Sequence, residues 1–171
     1  MMIPSATERL RFREWEVADV EAFHAICSDP GVMQFVGNGV PWSLELSEQF
    51  VLRACEMSRS LGFCQWPVIS QEDAAVIGFC GFVPADQGAE IGWRLAKAYW
   101  GRGLATEAAR VVLKHGFETL GFQYIIATVQ SSNRASIRIV EKLGMHAEGC
   151  LSRHGREILQ FAIQQRSKEG L

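Results

Sequence analysis

Short stretches in which apolar and polar residues alternate with a period of two are spread along the chain. This spacing is typical of half-buried β-strands. Over residues 7–15, Leu10 and Phe12 alternate with arginines and predict a first strand. The apolar runs 63–70 and 74–84 are separated by the polar triplet QED. Two such runs with a short polar connection predict a β-hairpin.

The remaining strands are predicted in the middle and at the end of the chain. A strand is predicted over 89–96, where alternate residues fall on opposite faces. One face holds Ile91, Trp93 and Leu95, and the other holds Glu90, Gly92 and Arg94. The β-branched run 124–130 predicts a buried strand. Residues 146–165 predict two strands joined around the charged sequence RHGRE.

A helical spacing of apolar residues predicts four helices. They cover 16–30, 44–62, a segment that follows Gly103 and ends near Gly121, and 133–144. We expect Pro30 and Gly31 to end the first helix, because proline and glycine interrupt helices. Ser43 is the expected N-cap of the second helix, and Gly62 is its expected end.

The predicted order of elements is β-α-α-β-β-β-α-β-α-β-β, which indicates a mixed α/β fold with helices on both faces of one sheet. A helix connects the strands at 89–96 and 124–130, so these two strands should be parallel. The other connections are hairpin-like, so most of the sheet should be antiparallel. The 171 residues contain no linker or repeat, and we expect 1–171 to form a single domain.

Composition narrows the class of protein. Hydrophobic residues make up 48%, charged residues 21%, and the net charge is −2, so there is no basic field for nucleic acid. No apolar run approaches about 18 residues and no signal-peptide pattern is present, so we expect no membrane segment and a cytoplasmic location. The five cysteines form no C-x-x-C pair and the four histidines are scattered, so no metal site or disulfide framework is expected.

The segment AYWGRGLATEAARVVLKHGF, residues 98–117, places two glycines around Arg102 directly before a predicted helix. The first N–H groups of a helix lack intrahelical partners and carry a partial positive charge. Because glycines let an anion approach this backbone, the segment predicts a phosphate-binding cradle with Arg102 at its rim. An ordinary glycine-containing turn is the alternative. Neither G-K-[ST] nor G-x-G-x-x-G is present, which disfavours a Walker loop and a dinucleotide-binding loop.

The longer run 90–145, from EIGWRLAKAYWGRG to IVEKLGM, resembles the GNAT superfamily of acetyl-coenzyme A-dependent N-acetyltransferases. The resemblance extends over nearly the whole chain and is stronger to the Rim-type branch, whose named members acetylate N-terminal amines of ribosomal proteins. The family's acetyl-CoA motif, [Q/R]-x-x-G-x-[G/A], falls on Trp100-Gly101-Arg102-Gly103-Leu104-Ala105. Trp100 departs from the motif, but tryptophan is frequent at this position in the Rim-type branch.

The resemblance implies where acetyl-CoA binds. Backbone N–H groups of residues 100–105 are expected to hold its pyrophosphate. The two parallel strands are expected to splay apart so that the pantetheine arm enters between them. Asn133 is expected to hydrogen-bond near this arm, and its residue type also suits a helix cap. Backbone N–H groups near Trp93 and Arg94 are candidate donors to the thioester carbonyl oxygen.

Two side chains are candidates for assisting acetyl transfer. Glu90 begins the strand that should border the acetyl group, and we expect it to act as a base, directly or through water. A solvated carboxylate at a strand edge is the alternative. The tyrosine of many family members aligns with Val140, so Ser136, a proposed substitute in the Rim-type branch, is expected to hydrogen-bond the departing sulfur. Trp42 lies in a loop and is a candidate for lining the acceptor site, with a core tryptophan as the alternative.

These features favour an enzyme that transfers acetyl from acetyl-CoA to a primary amine by direct attack. An inactive CoA-binding sensor that keeps the fold is the alternative, and the missing tyrosine supports it. A kinase-like nucleotide-binding protein is a third class. Peptide N-termini, polyamines, antibiotics and other small amines all remain open as acceptors, because the fold does not select among them. Homodimers are common in the family, so a homodimer is one expected assembly.

Overall fold

The computed structural model describes residues 2–165, so the ends of the expected single domain, Met1 and 166–171, lie outside the described residues. Within this range, one sheet is formed by β1 Leu10–Phe12, β2 Gln65–Ser70, β3 Val76–Pro84, β4 Ala89–Leu95, β5 Tyr124–Gln130, β6 His146–Arg153 and β7 Arg156–Gln164. Their spatial order is β1-β2-β3-β4-β5-β7-β6. The pair β4–β5 is parallel and the other neighbours are antiparallel. The predicted mixed α/β fold is confirmed.

The helices of the described range are α1 Val20–Cys27, α2 Pro30–Met33, α3 Leu44–Leu61, α4 Leu104–Glu118 and α5 Arg134–Lys142. Single turns of 3₁₀ helix, Val17–Asp19 and Lys97–Tyr99, precede α1 and α4. The predicted cap of α3 is confirmed, because Ser43 Oγ accepts a hydrogen bond from the Leu46 N–H at 3.2 Å and Gly62 follows the helix at φ +79°. None of the helices in this part of the chain has the length and apolar character needed to cross a membrane.

The predicted end of the first helix is wrong, because Pro30 begins a helix instead of ending one. α1 ends at Cys27, and Pro30 is the first residue of α2. Asp29 caps this short helix by accepting a hydrogen bond from the Gly31 N–H at 2.8 Å. Proline is favoured at a first helical position because its missing N–H would have no partner there. The loop that follows α2 contributes to the site described below.

The helices pack on both faces of the sheet, as two phenylalanines of β3 show. Phe79 packs against Phe23 of α1 and Phe50 of α3, with ring centroids 6.1 and 5.0 Å away. Phe82 lies three residues later and therefore points to the other face. There it lies against α4, where a Cβ at Gly116 would come within 2.6 Å of its ring. Helices therefore cover both faces of the sheet at β3.

The cysteines are all free, and Cys27, Cys64 and Cys80 are buried while Cys150 is exposed. Cys27, Cys64 and Cys80 are therefore small buried side chains of the core. Burial raises the pKa of the Cys27 and Cys64 thiols, because a thiolate would lose its hydration. Among residues 2–165, no three His, Cys, Asp or Glu side chains group as metal ligands would.

His115 in α4 should make the protein less stable in mild acid. Its ring lies 5.5 Å from that of Trp66, its side chain is buried, and burial lowers its pKa below the usual 6.5. The unfolded chain therefore binds more protons, so the free energy of unfolding should fall below pH ~6.5, by at most about 1.4 kcal/mol per pH unit. In His115→Phe, the contribution of His115 to the change of the free energy of unfolding with pH should vanish. Urea unfolding of both proteins at several pH values below and above ~6.5 measures this change, and equal pH dependence in the two proteins would contradict the prediction.

Candidate active site

β4 and β5 separate after a short region of pairing. Each strand has seven residues, yet their register contains two pairs, Ala89 with Ile125 and Glu90 with Ile126. Beyond Glu90, the edge of β4 that faces β5 has no strand partner within the described sheet. The expected splay is confirmed, and it opens a gap in the middle of the sheet.

Two clefts meet at this gap. The Glu90 cleft has a volume of about 390 Å³ and is lined by Glu90, Thr128, Gln130 and the hairpin residues Arg153 and His154, among others. The α4 cleft has a volume of about 330 Å³ and leads to the start of α4. Six residues line both clefts: Phe35, Val36, Trp93, Arg94, Asn133 and Ser136. The last four of these were predicted from the sequence, so the fold brings distant predicted residues to one place.

The loop before α4 requires glycine at two positions. Gly101 and Gly103 have φ values of +72° and +76°, which side chains of L-residues disfavour. Gly103 is the N-cap of α4, and no side chain caps the first N–H groups of this helix. A Cβ at Gly101 would meet no protein atom within 4 Å, so the space beside the loop is open. Together with Leu104 and Ala105, which also line the α4 cleft, the loop fits a pyrophosphate.

The N-terminal segment fixes this loop from outside. Arg9 donates hydrogen bonds to Glu107 Oε2 at 2.7 Å and to the Arg102 carbonyl oxygen at 2.8 Å. Thr7 donates to Glu107 Oε1 at 2.6 Å. Burial alone would raise the pKa of Glu107, but the hydrogen bonds from Thr7 and Arg9 hold it below its ordinary value. The role of Arg9 could not be predicted from the sequence, because its partners lie almost a hundred residues away along the chain.

Trp100 and Arg102 lie at the rim of the α4 cleft in different ways. Trp100 lines the cleft, and its indole N–H donates to the Leu95 carbonyl oxygen at 2.9 Å. Arg102 does not line either cleft, and its guanidinium pairs with Glu72 at 2.6 Å on the exposed surface. Such exposed pairs contribute little to stability, so the pairing with Glu72 does not prevent Arg102 from turning to a phosphate. The predicted phosphate contact of the Arg102 side chain stays a prediction.

Glu90 lies where the splay begins, as the last residue of β4 that pairs with β5. The Thr128 hydroxyl of β5 donates a hydrogen bond to its Oε1, while Oε2 accepts none from residues 2–165. A half-buried carboxylate with one oxygen held and the other free suits a base that acts on an amine. Glu90 was predicted from the sequence but Thr128 was not, because nothing in the pattern of β5 shows which residue faces β4.

Of the two backbone N–H groups that are candidate donors to the thioester carbonyl oxygen, those of Trp93 and Arg94, one faces the gap. The N–H of Ala96 donates to the Ile77 carbonyl oxygen of β3 at 2.8 Å. Antiparallel pairs alternate between hydrogen-bonded and non-hydrogen-bonded ones. Along the observed register this alternation assigns Arg94 to a hydrogen-bonded pair with Phe79, and it turns the N–H of Trp93 towards the gap.

Asn133 and Ser136 begin α5 beside the gap. Asn133 Oδ1 accepts a hydrogen bond from the Ser136 N–H at 3.2 Å, so the predicted helix cap is confirmed. The Asn133 amide N–H₂ and the Ser136 hydroxyl donate to no residue of the described range, and both side chains line both clefts. Val140, at the position of the family's tyrosine, is fully buried and has no proton to donate.

The Arg94 side chain is a buried charge among aromatic rings. It is 9% exposed, and its guanidinium carbon lies 4.4 Å from the ring centre of Trp42, 5.2 Å from Phe79 and 6.0 Å from Phe23. Each such contact contributes about 0.5–2 kcal/mol. Its Nη1 donates to Cys27 Sγ at 3.1 Å, whereas Nε has no partner in the described range. The sequence pattern suggested only a backbone role for this residue.

Trp42 packs behind Arg94 instead of lining a cleft. Its ring lies 5.9 Å from Phe50 and 6.5 Å from Phe23, within the aromatic cluster between α1 and α3. It is absent from the linings of both clefts. Trp42 is half-buried against the core, which favours the alternative of a packing residue, and the predicted acceptor contact stays a prediction.

The loop after α2 forms a wall of both clefts and is held by two residues that the sequence pattern did not reveal. Arg156 donates hydrogen bonds to the carbonyl oxygens of Gln34 at 2.7 Å and Asn38 at 3.0 Å. Gln130, which is buried, donates to the same loop and accepts from Arg156. These partners come from β5, β7 and the first third of the chain, so only the folded chain brings them together.

Arg156→Met should loosen this wall. Each lost hydrogen bond is worth about 1 kcal/mol, so we expect faster amide exchange over 34–39 and a roughly tenfold higher KM for the acceptor, with little change in kcat. Hydrogen–deuterium exchange and steady-state kinetics measure these effects. Arg53→Met, on the exposed side of α3, is the matched control. Equal exchange rates in the two variants would remove Arg156 from this positioning role.

A gap between splayed parallel strands that ends at an uncapped helix start fits an extended molecule with a phosphate-bearing head. Residues 9–146 match the family model described as the acetyltransferase (GNAT) domain. The chain therefore belongs to the GNAT acetyltransferase family, whose members use acetyl-CoA, and it is an acetyltransferase.

Relatives and solved structures agree with this assignment. The chain is 34% identical to the uncharacterized N-acetyltransferase YnaD of Bacillus subtilis (strain 168) over 145 residues, which cover 84% of this chain and 82% of that protein. A GNAT-family acetyltransferase from Bacillus anthracis is 33% identical with a TM-score of 0.84, covering 95% and 98% of the two chains. The predicted similarity of this chain to the Rim-type branch is confirmed for the fold. RimL, a ribosomal L7/L12 α-N-protein acetyltransferase in complex with coenzyme A, has a TM-score of 0.80 at 18% identity, covering 95% and 97%.

Proposed function

We propose that the protein transfers the acetyl group of acetyl-CoA to a primary amine by direct attack. The observation that carries the proposal is the arrangement around the gap. Glu90 and Ser136 line one continuous space, the N–H of Trp93 turns towards it, and the glycine loop lies at its far end. A base, a donor to the carbonyl oxygen and a donor to the leaving group are the parts that this reaction needs.

Acetyl-CoA supplies the acetyl group as a thioester. In the proposal, backbone N–H groups of residues 100–105 bind its pyrophosphate, and the free amide N–H₂ of Asn133 donates to the arm. Arg138 and Lys142 of α5 also line the α4 cleft and add positive charge on the side of the phosphates. The sequence pattern had suggested only Arg102 for this purpose.

The proton leaves the amine through Glu90. As the C–N bond forms and the C–S bond breaks, Glu90 Oε2 accepts the amine proton directly or through one water. A free α-amine with a pKa near 7.8 is roughly 14% neutral at pH 7, whereas a lysine amine is below ~0.1% neutral. The base is therefore needed far more for lysine than for an α-amine. The Ser136 hydroxyl donates a hydrogen bond to the sulfur, which leaves as a thiolate with an ordinary pKa of about 8.5.

Direct attack is favoured over a covalent acetyl-cysteine. The linings of the two clefts contain no cysteine. Cys27 contacts Arg94, but it is fully buried, and burial raises the pKa of its thiol. A buried neutral thiol is a poor nucleophile. We also propose a cytoplasmic location, because free cysteines such as these are typical of reducing compartments.

A panel of amines tests the proposed function. Thiol release from acetyl-CoA is followed with free and N-terminally blocked peptides, amino acids and polyamines, while calorimetry measures CoA binding. Release that requires a free amine is the expected result. Tight CoA binding with no turnover across the whole panel would instead favour the inactive sensor, for which the buried Val140 in place of a tyrosine is the supporting observation.

A further inference from the structure

Arg94 brings a positive charge to the clefts without a counter-charge. Within residues 2–165 its one polar side-chain partner is Cys27, whose buried thiol is neutral because burial raises its pKa. Four arginines of this range have carboxylate partners, namely Arg9, Arg13, Arg59 and Arg102. The other arginines without such a partner are exposed or, as with Arg156, half-buried. Arg94 is thus the most buried guanidinium group of the described residues, and it has no acid beside it.

The aromatic rings around Arg94 favour a cation but do not replace an anion. Rings of Trp42, Phe79 and Phe23 attract the guanidinium through their faces. Removing a guanidinium from water costs more than such contacts return, unless the group is paired and its N–H groups are hydrogen-bonded. Arginine does not escape this cost by losing its proton. Nε is enclosed by protein atoms, whereas Nη2 is not enclosed in this way and donates to no residue of the described range, so Nη2 is the group through which an anion in the cleft can pair with Arg94.

Arg94 lies on the same face of β4 as Glu90, four residues further along. At about 3.3 Å per residue, their Cα atoms are about 13 Å apart, and both residues line the Glu90 cleft. Arg153, at the tip of the β6–β7 hairpin, lines the same cleft and adds a second positive charge. The Glu90 cleft thus has the Glu90 carboxylate where the splay begins and the guanidinium groups of Arg94 and Arg153 further along.

We propose that the acceptor carries a carboxylate as well as its amine, and that Arg94 binds this carboxylate while the amine lies at Glu90. This proposal rests on the proposed function and names its substrate class. A guanidinium and a carboxylate match through two parallel hydrogen bonds, which gives orientation as well as attraction. Polyamines should be poor acceptors, because they carry further positive charge and nothing to pair with Arg94. A free amino acid and a peptide with an acidic residue next to its N-terminus both have the required chemistry.

The test compares amines that differ only in the carboxylate. One series is made of straight-chain amino acids of increasing length, from glycine to 6-aminohexanoate, each beside its amide. A second arm uses peptides with Glu or Gln as the second residue, which distinguishes the two sources of the carboxylate. The wild-type protein should acetylate at least one carboxylate form about 10- to 100-fold more efficiently in kcat/KM than its amide. The best chain length then reports the distance from the amine site to Arg94.

Arg94→Met tests the residue itself. Methionine suits the aromatic pocket and has no charge. The variant should lose most of the preference for the carboxylate because its KM for the carboxylate form rises, while its KM for the amide form stays within about twofold of the wild type. Arg94→Lys should keep part of the preference. Arg53→Met, on the exposed face of α3, is the matched control and should keep all of it.

A binding measurement keeps the proposal testable if Arg94→Met does not fold. With CoA present, the N-acetylated product with a carboxylate should raise the melting temperature of the wild-type protein more than its amide does. Equal acetylation and equal melting shifts for acids and amides would overturn the proposal but leave amine acetylation intact. A preference for polyamines would overturn it as well. Failure to acetylate any amine would overturn the proposed function itself.

Discussion

Glu90→Gln should lower kcat/KM for the acceptor by about 10²- to 10⁴-fold, the range expected for loss of a general base. The amide fills the same space and can still contact Thr128, but it cannot take the amine proton. The loss should be larger at pH about 6.5 than at about 8.5, because fewer amines are neutral in acid. Steady-state thiol release over this range, with an acceptor identified from the amine panel, measures both effects.

The affinity for CoA provides the first control for this variant. Glu90 does not line the α4 cleft, where the phosphates of CoA are proposed to bind, so calorimetry should give an unchanged Kd for CoA. Thr128→Val is the second control, because it keeps the carboxylate and removes only the hydrogen bond that holds it. Its loss in kcat/KM should be about tenfold or less. A loss below threefold in Glu90→Gln would contradict the assignment of Glu90 as the base.

The double substitution Gly101→Val/Gly103→Val should raise the Kd for CoA on the order of 10²-fold. Both positions have left-handed φ values, where a side chain costs roughly 1–2 kcal/mol per residue. The free protein can relax this strain by moving the loop, and binding then has to restore the left-handed conformation. Since every 1.4 kcal/mol is a factor of ten, two such positions account for the expected change. Calorimetry with CoA measures the Kd.

A matched control uses two glycines with similar left-handed φ values that lie outside the clefts. Gly62 and Gly121 have φ values of +79° and +73°, and a Cβ at either would meet no atom within 4 Å, as at Gly101. Gly62→Val/Gly121→Val should therefore lower the melting temperature through the same backbone strain. CoA binding should be unaffected, because neither residue lines a cleft. Similar losses of CoA affinity in both double variants would show that general destabilisation, and not the loop, is responsible.

The order of helices and strands could be predicted from the sequence because it depends on local periodicity. The alternation in β1 to β4 and the helical spacing of α3 and α4 are properties of neighbouring residues, and their elements formed as predicted. The caps Ser43 and Asn133 were found for the same reason. Pro30 was misassigned because its preference for the first position of a helix depends on a cap, and Asp29 supplies that cap one residue earlier.

The sequence by itself determined the glycine loop, the helix that follows it and the parallel strands around the gap. Each of these features depends on the types and spacing of residues that are neighbours in the chain. Glu90, Asn133 and Ser136 came from family resemblance, and the fold brings them to the two clefts. Only the tertiary structure decided which side chains surround and position the residues of the site. Thr128 reaches Glu90 across the splay, Arg156 holds the loop after α2, and Trp42 packs on Arg94. Each of these contacts joins segments that are far apart in the chain, and their geometry exists only after the sheet has formed.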